Sequence, residues 1–151
     1  MSATIETPFD HRILIVDDEP SLLEELSVSL SQAGWHVESA SDAFAAWEKL
    51  NADASLSVLL TDIGMPGMDG LSLARRVCDQ GRNSAPTEVI VLTAHGTADD
   101  AAEARRIGAF EFLPKPVSLK MLLETTERAF RSARDRRLRR RLCAGSPGPG
   151  A

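Results

Sequence analysis

The chain is predicted to fold as a single open α/β domain, a doubly wound (βα)5 unit with a five-stranded parallel sheet covered by helices on both faces. Three observations predict it. Short runs rich in Val, Ile and Leu recur at residues 12–16, 56–61 and 87–93 without strict alternation, as strands buried on both faces should read. Segments of helical length and period lie between them, and short connections of this kind make parallel neighbours with right-handed crossovers. Finally, each apolar run is closed by a polar group: Asp17 and Asp18, then Asp62, then Thr93, then Lys115.

The elements follow in order. The first strand, 12–16, leads into a helix over 20–33, where Leu22, Leu23, Leu26 and Leu30 form a stripe at helical spacing, Pro20 suits the first turn and Gly34 supplies the stop. A second strand is expected at 36–39 and a second helix at 43–51, with Asp42 as its cap. The third strand, 56–61, precedes a loop in which Pro66, Gly67 and Gly70 shape the chain, Asp69 caps, and a helix runs over 71–80. Strand four, 87–93, is followed by a helix at 98–107, and strand five, 110–113, by a helix that starts near Ser118 and continues into an arginine-rich extension. Within that helix Glu124 with Arg128 and Glu127 with Arg131 are spaced for i,i+4 pairs. The Gly- and Pro-rich stretch from Gly145 cannot continue it and is expected to be disordered, as is the amino-terminal segment 1–11. The division expected is thus 1–11, a domain at 12–130, and a basic helix extension with its tail at 131–151.

If the strands are parallel neighbours, three acids, a hydroxyl and an amine meet in one crevice at the carboxyl edge of the sheet, where open α/β folds bind ligands. Three carboxylates gathered there repel one another unless a cation neutralises them. The constellation therefore asks for a divalent metal, Mg2+ or Mn2+, and for a phosphoryl group. Taken singly, each feature has a plainer reading: Asp17-Asp18 as a turn pair, Thr93 as structural, Lys115 as a surface lysine. The combination is what points to chemistry.

Asp17-Asp18-Glu19-Pro20, Asp62-Ile-Gly-Met-Pro-Gly-Met-Asp-Gly70, Leu92-Thr-Ala-His-Gly96 and Pro114-Lys115-Pro116 stand in the order and spacing of the response-regulator receiver domain, which the chain resembles from about residue 12 to residue 130. The resemblance implies the flavodoxin-like strand order 2-1-3-4-5. It implies Asp62 as acceptor of a phosphoryl group from a histidine kinase or phosphotransfer protein. Asp18 and Asp62 would be direct metal ligands, Asp17 would act mainly through a metal-bound water, and the backbone carbonyl of Gly64 would complete the set. It further implies a cis Lys115–Pro116 bond, with Lys115 and Thr93 stabilising the added anion. A switch follows in which Thr93 moves toward the phosphoryl group and Phe112 turns inward, altering the surface of the fourth helix, fifth strand and fifth helix. Glycine at position 64 departs from the larger polar residue common in receivers. His95, at the mouth of the expected site, is either a solvent-facing loop residue or a modulator of access to the acyl phosphate.

Composition narrows the alternatives. With 151 residues and 43% hydrophobic content, one core is expected. Cys78 and Cys143 lack metal-ligand spacing, no stretch reads as a signal peptide, and none approaches the ~18–20 apolar residues of a membrane helix. A cytoplasmic protein of a reducing compartment, not bound to membrane, is the expectation. The formal charge of −5 is unevenly spread: nine basic residues stand against 21 acidic ones up to residue 127, and eight arginines against the lone Asp135 beyond it. The stretch Arg128 to Arg141 fits a solvated helix end, a coiled-coil linker or dimer arm, or a nucleic-acid contact, the last lacking interleaved aromatics. Partners expected are a sensor kinase, a downstream protein or fused effector, and a phosphorylation-dependent second copy, with no direct nucleic-acid binding. His11, His36, Trp35 and Trp47 read as boundary or packing residues.

Two functional readings stand beside a self-contained receiver that is no enzyme toward external metabolites. The chain is a receiver fragment of a longer transcriptional regulator, or, more remotely, a phosphohydrolase with Asp62 as nucleophile. The latter needs a general acid two residues on, where Gly64 stands. A flavin carrier of the same fold is disfavoured because acids occupy the loop that would meet flavin phosphate.

Overall fold

In the computed structural model, residues 11–65, 67–80, 86–94 and 96–145 are described, with side chains to residue 142. The expectations for residues 1–10, Pro66, His95, the Cys143 thiol and the tail beyond Gly145 lie outside them. Strands β1 (Arg12–Val16), β2 (His36–Ala40), β3 (Val58–Thr61), β4 (Glu88–Thr93) and β5 (Glu111–Pro114) alternate with helices α1 (Pro20–Gln32), α2 (Ala43–Ala52), α3 (Gly70–Gln80), α4 (Ala98–Ile107) and α5 (Leu119–Gly145). All strand pairs are parallel, in the order β2-β1-β3-β4-β5.

The missing alternation in the strands now has its cause. In β1, Leu14 and Val16 face a core built with Ala43, Ala46, Leu73, Ala74, Val77 and Ala104, from α2, α3 and α4. Ile13 and Ile15 face the opposite core with Leu26 and Leu30 of α1 and Leu122, Ala129 and Phe130 of α5. Successive side chains point to opposite faces, and both faces are covered, so Ile13 to Val16 are apolar without alternation. Caps fall where the residue types ask for them: Asp42 accepts from the amide of Ala45 at 2.8 Å, Asp69 from Ser72 at 2.8 Å and Ser118 from Met121 at 3.1 Å. Thr97 and Asp100 form a reciprocal capping box at the start of α4.

Several boundaries differ by one or two residues from those read in the sequence. β3 starts at Val58 rather than 56, because the Leu56 carbonyl accepts from the Thr87 hydroxyl (2.8 Å) and from Arg137 (2.9 Å) instead of continuing the ladder. β5 is displaced one residue, to 111–114, with Pro114 in register with Thr93. Among the described residues no helix is long and apolar enough to cross a membrane.

α5 is anchored well past the core. Arg137 donates to the carbonyls of Pro86 (2.8 Å) and Leu56 (2.9 Å), Arg136 reaches Glu88 at 3.3 Å, and the Ser132 hydroxyl donates to the same carboxylate. The arginine-rich stretch thus closes the amino-terminal rim of β3 and β4, a role its composition did not suggest. Glu127 pairs with Arg131 at 3.3 Å as its spacing predicts, whereas Arg128 turns to Glu111 of β5 at 3.9 Å and lies over the Phe110 ring.

Candidate functional site

Strand order brings the four sequence-distant polar positions to one rim. β1 and β3 are central neighbours, so Asp17 and Asp18 leave the sheet beside Asp62, whose amide donates to the Val16 carbonyl at 3.0 Å. The three carboxylates offer oxygens that all lie within 4.8 Å of one another. Thr93 ends β4 and is buried, with only 3% of its surface exposed. Lys115 follows β5 at the edge of the sheet, and its amide donates to the Thr93 carbonyl at 2.9 Å. From there the side chain spans β4 and β3 to place Nζ 2.7 Å from Asp17 Oδ2 and 3.6 Å from Asp62 Oδ2. The Lys115–Pro116 peptide is cis.

The acids are not equivalent. Asp17 is buried, its Oδ2 takes the Lys115 ammonium and its Oδ1 the Glu19 amide at 2.9 Å. Asp18 is exposed. Asp62 is half-buried, with Oδ1 accepting from the Ile63 amide at 2.7 Å, so one oxygen is oriented by the backbone and the other faces the amine. A cluster of hard oxygen donors is the kind of set that holds a divalent ion, and the three acids are consistent with a receiver metal site.

Glycines shape the loop that follows Asp62. The Gly70 amide donates to the Ile63 carbonyl at 3.0 Å, folding the loop back on itself. A Cβ at Gly70 would stand far inside contact distance of the Asp62 carbonyl oxygen, so only glycine lets α3 begin this close to the acceptor. Gly67 has φ +82, a left-handed conformation suited to glycine. Over Gly64 there is open space, with nothing within 4 Å of where a Cβ would be.

Phe112 is half-buried, and its ring tip converges with the Thr93 γ-methyl on the space above Gly96. The sequence pointed to Thr93 and Phe112 but gave Gly96 no role. Its only signal was its place at the end of Leu92-Thr-Ala-His-Gly96.

The response regulator receiver domain family model matches residues 13–127. The chain belongs to this family. The C4-dicarboxylate transport transcriptional regulatory protein DctD of Pseudomonas aeruginosa is 36% identical over 124 residues, which cover 81% of this chain but 26% of DctD. The chain therefore spans about a quarter of that relative's length. A receiver domain protein from Clostridium thermocellum superposes with TM-score 0.76 at 31% identity, over 82% of this chain and 96% of that one. The beryllofluoride-activated NtrC4 receiver domain dimer superposes with TM-score 0.74 at 34% identity, over 82% and 98%. Receivers are phosphoacceptor signalling modules rather than enzymes acting on metabolites, and they pair with histidine kinases. In this receiver the acidic pocket is Asp17, Asp18 and Asp62.

Proposed function

We propose that this receiver accepts a phosphoryl group on Asp62 from a histidine kinase or phosphotransfer protein, in a reaction that depends on Mg2+ or Mn2+, and relays the change through its α4-β5-α5 surface. The observation that carries the reading is the placement of Asp62 Oδ2, 3.6 Å from the Lys115 ammonium and within 4.8 Å of the oxygens offered by Asp17 and Asp18.

Asp18, Asp62 and the Gly64 carbonyl would hold the metal. When bound it supplies charge neutralisation where anionic donor and carboxylate meet. Asp17, with one oxygen on Lys115 and the other on the Glu19 amide, serves by orienting the amine and by its charge. Asp62 is aimed by the Ile63 amide on Oδ1, leaving Oδ2 as nucleophile. A bond forms between Oδ2 and phosphorus as the bond from phosphorus to the donor nitrogen breaks, and the imidazole leaves with its electron pair. Lys115 is placed to shift from carboxylate to phosphoryl oxygen, and Thr93 to donate its hydroxyl, so the new charge meets groups already in position.

Incubation with acetyl phosphate and Mg2+ followed by intact-mass measurement tests this. One hydroxylamine-labile phosphoryl adduct in the wild type, absent in Asp62→Asn and after EDTA, is expected. An unchanged adduct in Asp62→Asn, or rapid turnover of a phosphate ester, would overturn it.

One observation favours a receiver that works as part of a longer transcriptional regulator: the DctD relative is a transcriptional regulatory protein of which the matched region is 26%. On that reading α5, continuous to Gly145, is the rod through which an effector would sense the domain.

A further inference from the structure

The Leu92-Thr-Ala-His-Gly96 loop holds a steric feature that the phosphoryl site does not explain. A Cβ built on Gly96 would lie 2.6 Å from Thr93 Cγ2, 3.0 Å from Phe112 Cε1 and closer still to Phe112 Cζ. Carbon atoms reach their attractive minimum at about 3.5–4.0 Å, so an alanine here cannot coexist with the observed side chains. What must yield is informative. Neither obstacle is backbone: one is the tip of an aromatic ring, the other a terminal methyl. Each can leave by a rotation about its own Cα–Cβ bond. Gly96 does not have positive φ among the glycines that do, which are Gly34, Gly67 and Gly108, so its backbone conformation is one that alanine can adopt. The missing side chain is needed for space alone.

The same ring lines a second space. Phe112 forms part of the wall of a surface cavity between α4 and β5, together with Ala101, Ala104, Ala109 and Phe110. A ring driven away from Gly96 has this cavity to enter, because Ala101 and Ala104, beside Arg105, form its α4 wall.

We propose that Gly96 is a positioning residue of the switch: by lacking a Cβ it keeps open the slot beside Thr93 in which the Phe112 ring tip lies, and thereby couples Asp62 to the α4-β5 face. A side chain at 96 displaces the ring toward the α4-β5 cavity and turns Thr93, so that the phosphoryl group no longer changes the surface that partners read. The inference rests on the reading of Asp62 as phosphoacceptor.

Four forms of the full chain test it: wild type, Gly96→Ala, Phe112→Leu and the double variant. Each is treated with acetyl phosphate and Mg2+. Intact mass reports occupancy of Asp62, and two-dimensional amide NMR reports the shift response of Glu111 to Leu113 and of α4. Gly96→Ala is expected to take up the phosphoryl group while losing more than about half of the wild-type shift response, as a switch confined to one population would. In the Phe112→Leu background the ring tip is gone and only the Thr93 methyl stands in the way, so adding Gly96→Ala should cost a clearly smaller fraction of the response than it does in the wild type. A phosphorylated Gly96→Ala with the wild-type response overturns the proposal, as does an equal loss in the presence and absence of the ring. Should Gly96→Ala fail to fold, recovery of the fold in the double variant, or when Thr93→Ser also removes the methyl, upholds the steric assignment, and failure of both to recover it overturns it. An absence of adduct on wild-type Asp62 shows up in the mass alone and fells the underlying reading, the switch proposal with it.

Discussion

Lys115 and Asp62 sit in one electrostatic network, and their removal should act in opposite directions on stability. The Lys115–Asp17 pair is largely shielded, with 17% and 5% of the two side chains exposed. Lys115→Ala leaves Asp17 buried beside two other acids, and a loss of about 1–3 kcal/mol is expected. Asp62→Asn removes one of three like charges and should raise stability on the order of 1 kcal/mol in metal-free buffer. Urea unfolding in EDTA checks both signs. Lys115→Ala should also remain phosphorylatable to a lesser degree and show a weak α4-β5 response, since the ammonium is the group placed to sense the new anion. Asp53 offers a separate titration. Burial pushes its carboxyl up, but hydrogen bonds from the Ser55 hydroxyl and amide, and Arg12 beside it, hold it below the usual carboxylate value. A depressed folded-state pKa contributes stability that is full above the unfolded value and lost as pH falls through the folded one. The wild type should therefore lose this contribution below about pH 4, and Asp53→Asn should flatten that part of the acid limb in a pH series of melts.

Among the elements, α5 departs furthest from what its composition suggests. A run of arginines most simply reads as a solvated face, yet Arg137 is withdrawn from water, and burial lowers its pKa against the opposing charge of Asp53. Its two bonds to the Leu56 and Pro86 carbonyls satisfy acceptors that the sheet leaves over at its amino-terminal rim. Removal of a charged donor from two such carbonyls costs about 1.5–3 kcal/mol, so Arg137→Ala is expected to lower the unfolding free energy by that order while Arg139→Ala, on the exposed side, changes it little. Urea midpoints measure the contrast. Equal effects would mean that the extension is not docked. The carboxyl half of α1, by comparison, follows directly from its stripe, with Leu26 and Leu30 buried. At the chain's start, His11 stacks on Phe130 at 3.7 Å, meets Trp35 edge-on and bonds Glu127 at 3.0 Å. This cluster ties the entry to β1 onto α5, where the sequence marks His11 and Trp35 only as boundary or packing residues and Glu127 only as a partner of Arg131.

For the whole molecule, folding is what concentrates the acids. Unfolded, the adjacent Asp17 and Asp18 are far along the chain from Asp62 and bind a divalent ion weakly; folded, the oxygens of all three lie within 4.8 Å. Whatever binds the native state alone stabilises it by mass action, about 2.7 kcal/mol at 100 times its Kd. Mg2+ is thus expected to raise the melting temperature of the wild type in a concentration-dependent way, and much less in Asp18→Asn. Calorimetry with and without EDTA reads this directly, and an equal rise in both forms would remove the metal from the acidic pocket.

The alternation of strand and helix, the positions of the caps at Asp42, Asp69 and Ser118, and the set of polar residues at the strand ends were legible in the sequence, because each depends on a few neighbouring residues and on the periods 2 and 3.6. Strand order 2-1-3-4-5 and the roles proposed for Asp62 and Lys115 came through family resemblance, carried by motifs that recur as units. Neither local pattern nor motif showed that Arg137 donates to carbonyls just ahead of β3 and β4, that His11 joins Trp35 and Phe130, or that a Cβ at Gly96 would collide with Phe112. Those facts belong to the tertiary structure. They depend on which surfaces meet after the helices have packed on the sheet, and contact between residues far apart in the chain leaves no periodic trace along it.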